Sequence, residues 1–261
     1  MSSLPAIFVS HGSPMLALRD SPARRFLLEL GRSLPRLTAI AVVSAHWQTR
    51  NGPMVSLAAT PETIHDFGGF PQALFDLRYP APGAPEVAGR AATLFAAAGI
   101  PVGRSLERGL DHGAWVPLSL MYPQADIPVM QISIVHGASP AMHRQLGAAL
   151  RQLREEGVLV LASGSLTHNL HEFRSRALDA PAPAWVSEFG AWMHDKLLGN
   201  EQQALLDYRR LAPMAEKNHP TDEHLLPLFV AMGAGGEGAR AQLLHASVEH
   251  GVLAMDAYAF Q

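Results

Sequence analysis

Cysteine is missing from the chain altogether. That excludes disulfide scaffolds, thiolate nucleophiles, zinc ribbons and iron–sulfur clusters together, and leaves any metal site to be built from His, Asp and Glu. Charge is also sparse: 16% of residues are charged, the formal net charge is -3, and no run of Lys or Arg is longer than a pair. Neither a nucleic acid nor an acidic membrane surface is expected as partner, so a small molecule is the expected one. No basic-then-apolar leader opens the sequence and no apolar run approaches the roughly 18 residues of a spanning helix, which predicts a soluble cytoplasmic protein.

What is present is a 261-residue chain, 48% hydrophobic, with 13 histidines. Its length is ample for one sizeable core, and a single domain over 1–261 is expected. Short apolar or β-branched runs at 6–10, 39–45, 54–59, 129–134 and 158–163 alternate with helical patterns at 21–33, 86–98 and 140–156. This alternation predicts an α/β fold with a mostly parallel central sheet and helices on both faces. A further helix is expected over 184–198, where Trp185, Phe189 and Trp192 recur at core-packing spacing. Residues 78–85 read as a loop, and the two apolar runs around Glu249-His250-Gly251 as a terminal hairpin or a pair of closing strands.

The histidines fall at strand ends. His11 follows the first run directly, His46 the second, and His168 lies a few residues past the run at 158–163. In an open parallel sheet, ligands gather beyond the carboxyl ends of the strands, so these three side chains are expected on one edge. Gly12 and Gly164 suit tight turns or a close backbone approach there. In "HPTDEHLLPLF" (219–229), Pro220 suits a helix start that Thr221 or Asp222 would cap, placing His224 in the first turn. The helix dipole would oppose a cation there, so a metal role for His224 calls on Asp222 or Glu223 nearby. His112, in "LDHGAWVPL" (110–118), is the candidate for a substrate-facing role, with Asp111 as a weak candidate to orient it. His171 shares "HNLH" with His168 and would support it if that segment were helical.

The ordered motifs "HGSP" (11–14), "SAHW" (44–47), "HDFGGFP" (65–71), "LDHGAWVPL" (110–118), "SGSLTHNL" (163–170) and "HPTDEHLLPL" (219–228) span nearly the whole chain. Together they resemble the class III extradiol aromatic-ring-opening dioxygenases, most closely the DOPA-dioxygenase branch. The resemblance implies His11 and His46 as metal ligands. It places His224 where the protocatechuate-cleaving relatives carry a glutamate ligand, which departs from the usual facial triad of two histidines and a carboxylate. It puts the conserved catalytic histidine at His168, which in this branch also stands as a fourth ligand.

The implied partners are a catechol and O2, the implied cofactor is Fe(II), and Zn(II) suits the same nitrogens. The expected product is of the muconic-semialdehyde type. His168, then His112, are the acid/base candidates, and Phe67, Phe70 and Trp115 the candidate walls for the aromatic ring. Two other readings stand beside this one. The first is a zinc hydrolase with Glu223 as base, although no "HExxH" helix is present; the second is a non-enzymatic metal-binding relative. The oligomeric state is left open.

Overall fold

A computed structural model describes residues 3–173 and 176–261. Its centre is an eight-stranded sheet in the order β4-β3-β5-β2-β6-β1-β10-β7. The strands are β1 (Ala6–Ser10), β2 (Ala39–Thr49), β3 (Met54–Ser56), β4 (Gly103–Ser105), β5 (Val129–Val135), β6 (Val158–Gly164), β7 (Ala241–His245) and β10 (Ala257–Phe260). β5, β2, β6 and β1 run parallel to one another, β3 and β4 pair parallel with β3 antiparallel to β5, and β10 and β7 close the other edge antiparallel. Two short strands, β8 (Val248–Glu249) and β9 (Leu253–Ala254), pair with each other around the Glu-His-Gly turn.

Alternate side chains of the central strands feed two cores. Phe8, Val43 and Val160 pack on one face with the helices Pro85–Ala97, Pro140–Leu150, Ala184–Leu198 and Leu226–Gly235; Ile7, Val42 and Leu161 pack on the other with Pro22–Ser33 and His112–Met121. Burial on both sides is why these strands are mostly apolar on both faces, with no period-two alternation. Each fully buried aliphatic or aromatic side chain contributes on the order of 1.5–3 kcal/mol. Trp185 and Phe189 are buried and Trp192 packs at the margin, as their spacing predicts. Among the described residues no helix is long and apolar enough to cross a membrane.

Local differences from the sequence reading have physical causes. The expected strand 54–59 stops at Ser56, and the expected helix 140–156 becomes a 3-10 helix after Leu150 that ends on left-handed Gly157. β2 runs to Thr49, beyond the expected 45, because its pairing with β5 jumps from Ser44↔Ser133 to Gln48↔Ile134. The three intervening residues bulge out of the ladder, and His46 is the middle one.

Candidate metal centre

The carboxyl ends of β1, β2 and β6 meet at one edge of the sheet, where backbone hydrogen bonds fix the segments that follow. His11 N–H donates to Gly164 O (2.9 Å), and Ser165 N–H donates to His224 O (2.8 Å). Gly12 turns the chain away at φ +57°, in the region that favours glycine. His224 is not in the first turn of a helix as expected. That helix starts at Leu226, neither Thr221 nor Asp222 caps it through a side chain, and His224 sits in the turn before it. Leu225 and Leu226 N–H donate instead to the Asp222 backbone carbonyl. His224 therefore stands clear of the helix's first turn, where the sequence placed it against the dipole.

Three imidazoles converge there. Nε2 of His46 lies 3.0 Å from Nε2 of His11 and 3.2 Å from Nε2 of His224. Nitrogens bound at about 2.0–2.1 Å to one ion, with angles between tetrahedral and octahedral, would be about 2.8–3.4 Å apart. Two of the other ring nitrogens are hydrogen-bonded and the third faces a carboxylate. Ser163 Oγ donates its only proton to Gly113 O, so it accepts from His11 Nδ1 at 3.0 Å. Glu223 Oε1 accepts from His224 Nδ1 at 2.9 Å, and Asp66 Oδ2 faces His46 Nδ1 at 3.5 Å. With protons held on Nδ1, lone pairs on Nε2 face one another, and a single ring proton on His46 could serve one neighbour only. A shared cation satisfies all three, so the donor set fits a divalent metal.

Electrostatics agree. Burial first, then the neighbouring imidazoles, hold His11 and His224 well below the ordinary histidine range. Burial and His112 bring His46 to about 4, against the pull of Asp111 and Asp66. Rings kept neutral near pH 7 are free to donate lone pairs.

His168 stands outside this three-histidine set, in an adjoining group with Glu223 and His224. Its ring stacks on that of His224, with centroids 3.4 Å apart and planes 9° off parallel, beside Glu223. Its backbone N–H donates to Asn218 O at 3.0 Å. Burial lowers its pKa to about 4, with Glu223 opposing. The "HNLH" stretch is a turn rather than a helix, and His171 N–H bonds Asn169 Oδ1 instead of supporting His168.

His112 opens the helix His112–Met121, with its ring centroid 3.9 Å from that of His46. Asp111 does not orient it. The fully buried Asp111 carboxylate caps that helix through Ala114 N–H, and also accepts from Ser44 Oγ (2.6 Å), Arg108 Nη2 (2.7 Å) and Gln131 Nε2. His112 is held by Asp66, whose Oδ1 accepts from both its backbone N–H and its Nδ1 at 2.9 Å. Burial works against ionisation of Asp66, but the hydrogen bonds and charge of His112 outweigh it and bring its pKa to about 2. Asp66 lies inside the "HDFGGFP" motif, where nothing in the sequence marks it as a partner of His112.

These groups line a cavity of about 440 Å³. Phe67 and Phe70 form one wall, edge to face at 5.4 Å, and Leu170, Phe173 and Leu253 add apolar surface. Trp115 is not a wall. It is 0% exposed, behind the cavity lining, and its indole N–H donates to Ile64 O.

Residues 5–260 match the family described as the catalytic LigB subunit of aromatic ring-opening dioxygenase. The chain belongs to the LigB family. It is thus an extradiol ring-cleaving dioxygenase of a metal-dependent family, and the hydrolase and non-enzymatic readings fall away. Its relatives include a "4,5-DOPA dioxygenase extradiol" of Beta vulgaris, 42% identical over 97% of this chain and 95% of that one. Another of the same name from Escherichia coli K12 is 45% identical over 88% of this chain and 85% of its own length. A crystal structure of an uncharacterized protein from Escherichia coli K12 superposes with a TM-score of 0.83 at 36% identity, covering 99% of this chain and 100% of that one.

Proposed function

We propose that the chain, working as one catalytic domain over 1–261, opens the ring of a small catechol of the dihydroxyphenylalanine type with O2, using Fe(II) held by His11, His46 and His224. The reading is carried by the three Nε2 atoms that face one another at 3.0 and 3.2 Å on the floor of an aromatic-walled cavity. That relatives in Beta vulgaris and Escherichia coli are 4,5-DOPA dioxygenases supports the substrate class. A ferrous ion on these nitrogens would supply the electron route between catecholate and O2, which zinc, having no accessible redox change, does not.

The side chains supply the rest. His168 faces the cavity as a half-buried imidazole, neutral at pH 7 and so able to take a proton from a catechol hydroxyl and return it during ring opening to the muconic-semialdehyde type product. Glu223, beside it, favours the charged imidazolium formed on the way. His112 lines the cavity next to His46, in reach of a catechol oxygen, while Phe67 and Phe70 offer ring faces and edges to the substrate. Asp66 and Glu223, one behind each of two imidazoles, supply the negative charge that a set of three neutral nitrogens lacks.

The test is to load the apoprotein with Fe(II) under anaerobic conditions, add L-DOPA or other catechols, and admit air. A yellow ring-cleavage product with matching O2 uptake is expected. No product from any catechol, with iron demonstrably bound, would overturn the reading.

A further inference from the structure

One carboxylate in this site touches two histidines of different duty. Asp66 arrives from a segment with no regular secondary structure, held in place because Ile64 N–H donates to Leu110 O and Leu110 N–H donates to Glu62 O, so that residues 62–66 run alongside 110–112. Its side chain is 24% exposed at the cavity, and its two oxygens are divided. Oδ1 takes both the backbone N–H and the Nδ1 of His112 at 2.9 Å; Oδ2 faces Nδ1 of His46 at 3.5 Å. The Oδ1 contact is a hydrogen bond and the Oδ2 contact a looser charge contact; among the described residues no other side chain meets the Nδ1 of either ring in a hydrogen bond or ion pair.

We propose that Asp66 is a positioning residue that links the substrate-facing and metal-facing halves of the site, Oδ1 setting the ring of His112 and Oδ2 keeping the proton of His46 on Nδ1 so that Nε2 is free for the metal. The inference rests on the proposed function only for the roles of these two histidines. An ionised carboxylate accepts and does not donate, so each ring nitrogen turned toward it must carry the proton. The ring of His112 then presents Nε2 to the cavity in one orientation, and that of His46 presents Nε2 to His11 and His224. Two oxygens divided between two rings make the halves separable by mutation. Asp66→Asn keeps one carbonyl oxygen for His112 but places an amide, without charge, opposite His46. Asp66→Ala removes both supports.

The experiment uses the full chain and two readouts that need no turnover: chelator-competed Zn(II) affinity of the apoprotein, and binding of 4-nitrocatechol to the metal-loaded protein, followed by its absorbance. Wild type, Asp66→Ala, Asp66→Asn, His112→Ala and Asp66→Ala/His112→Ala are compared. Zn(II) affinity is expected to fall about 10-fold or more in both Asp66 variants, and to fall as far in the double variant, because that effect runs through His46. Affinity for 4-nitrocatechol is expected to fall about 10-fold in Asp66→Ala and in His112→Ala, with the double variant within about twofold of His112→Ala, and to stay close to wild type in Asp66→Asn.

Additive losses in the double variant, or Zn(II) affinity within about twofold of wild type in Asp66→Asn, overturn the proposal. If Asp66→Ala does not fold, Asp66→Asn decides it: weaker metal binding with 4-nitrocatechol affinity retained supports the proposal, and any other pattern overturns it. Failure of the iron-loaded wild type to turn over any catechol counts against the proposed function and leaves both affinity readouts standing. Failure of wild type to bind 4-nitrocatechol overturns the His112 half of the proposal.

Discussion

Gly164 and His224 meet backbone to backbone. A Cβ added at Gly164 would lie 2.1 Å from the carbonyl oxygen of His224. The end of β6 thereby presses directly on the turn that presents a candidate ligand, and Ser165 N–H, one residue on, holds the same carbonyl at 2.8 Å. Gly164→Ala must push His224 outward, since backbone on backbone leaves no flexible group to yield. The expected outcome is a folded protein, destabilised by about 1–3 kcal/mol, with metal affinity lower by about 10- to 100-fold. Thermal melts alongside metal analysis check it, and unchanged metal content would count against His224 as a ligand.

Metal retention should separate the histidines. His11→Ala, His46→Ala and His224→Ala each remove one of three converging nitrogens and are expected to purify without metal. His168→Ala removes a ring that stacks on His224 but stands outside that set, so it should retain most of its metal while losing about 10²- to 10⁴-fold in turnover. Metal content by elemental analysis, followed by O2 uptake after Fe(II) loading, distinguishes the two behaviours. Equal metal loss in all four variants would make His168 a ligand.

Asp111 tests the frame beneath the site. Its fully buried carboxylate joins Ser44 of β2, Gln131 of β5 and Arg108, whose guanidinium lies 5.2 Å from the ring centroid of Trp47. Removing it leaves a partly buried arginine and several donors unpaired beside the bulge that carries His46. Asp111→Ala is expected to cost roughly 3 kcal/mol, a fall of about 6–12 °C in Tm for a chain of this size. A melt within about 2 °C of wild type would show that the network is slack.

Much of the site was legible because the histidines sit where parallel strands end, and a strand end is a local property of the sequence. His11 is placed by four apolar residues and a serine before it and a glycine after it. The features that stayed unreadable depend on nonlocal contacts. Asp66 reaches His112 across 46 residues through bridging between two irregular segments, which no periodicity announces. His46 is turned out by a register shift that depends on the partner strand β5. Asp111 reads as a neighbour that could orient His112, but it caps the helix that His112 begins, and its carboxylate is spent on β2, β5 and Arg108. The same helix buries Trp115, which sequence alone could not tell from a cavity wall.

A pH prediction follows from Asp256, which lies beside Ser10 at the start of β10. Its backbone carbonyl accepts from Ser10 N–H and Oγ, and burial of its carboxyl pushes the pKa up to about 7. The folded chain therefore holds this proton more tightly than the unfolded chain, where an aspartate titrates near 3.9. The contribution to stability is full below about pH 4 and is lost as pH rises through about 7, at roughly 1.4 kcal/mol per unit of pKa difference. Asp256→Asn is isosteric with the protonated form and leaves the backbone carbonyl to Ser10. It is expected to raise stability by up to a few kcal/mol at pH 8 and to change little at pH 4. Denaturant melts of both proteins across that range measure the difference, and a gap that does not grow with pH would mean that the carboxyl is ionised at no cost in the fold.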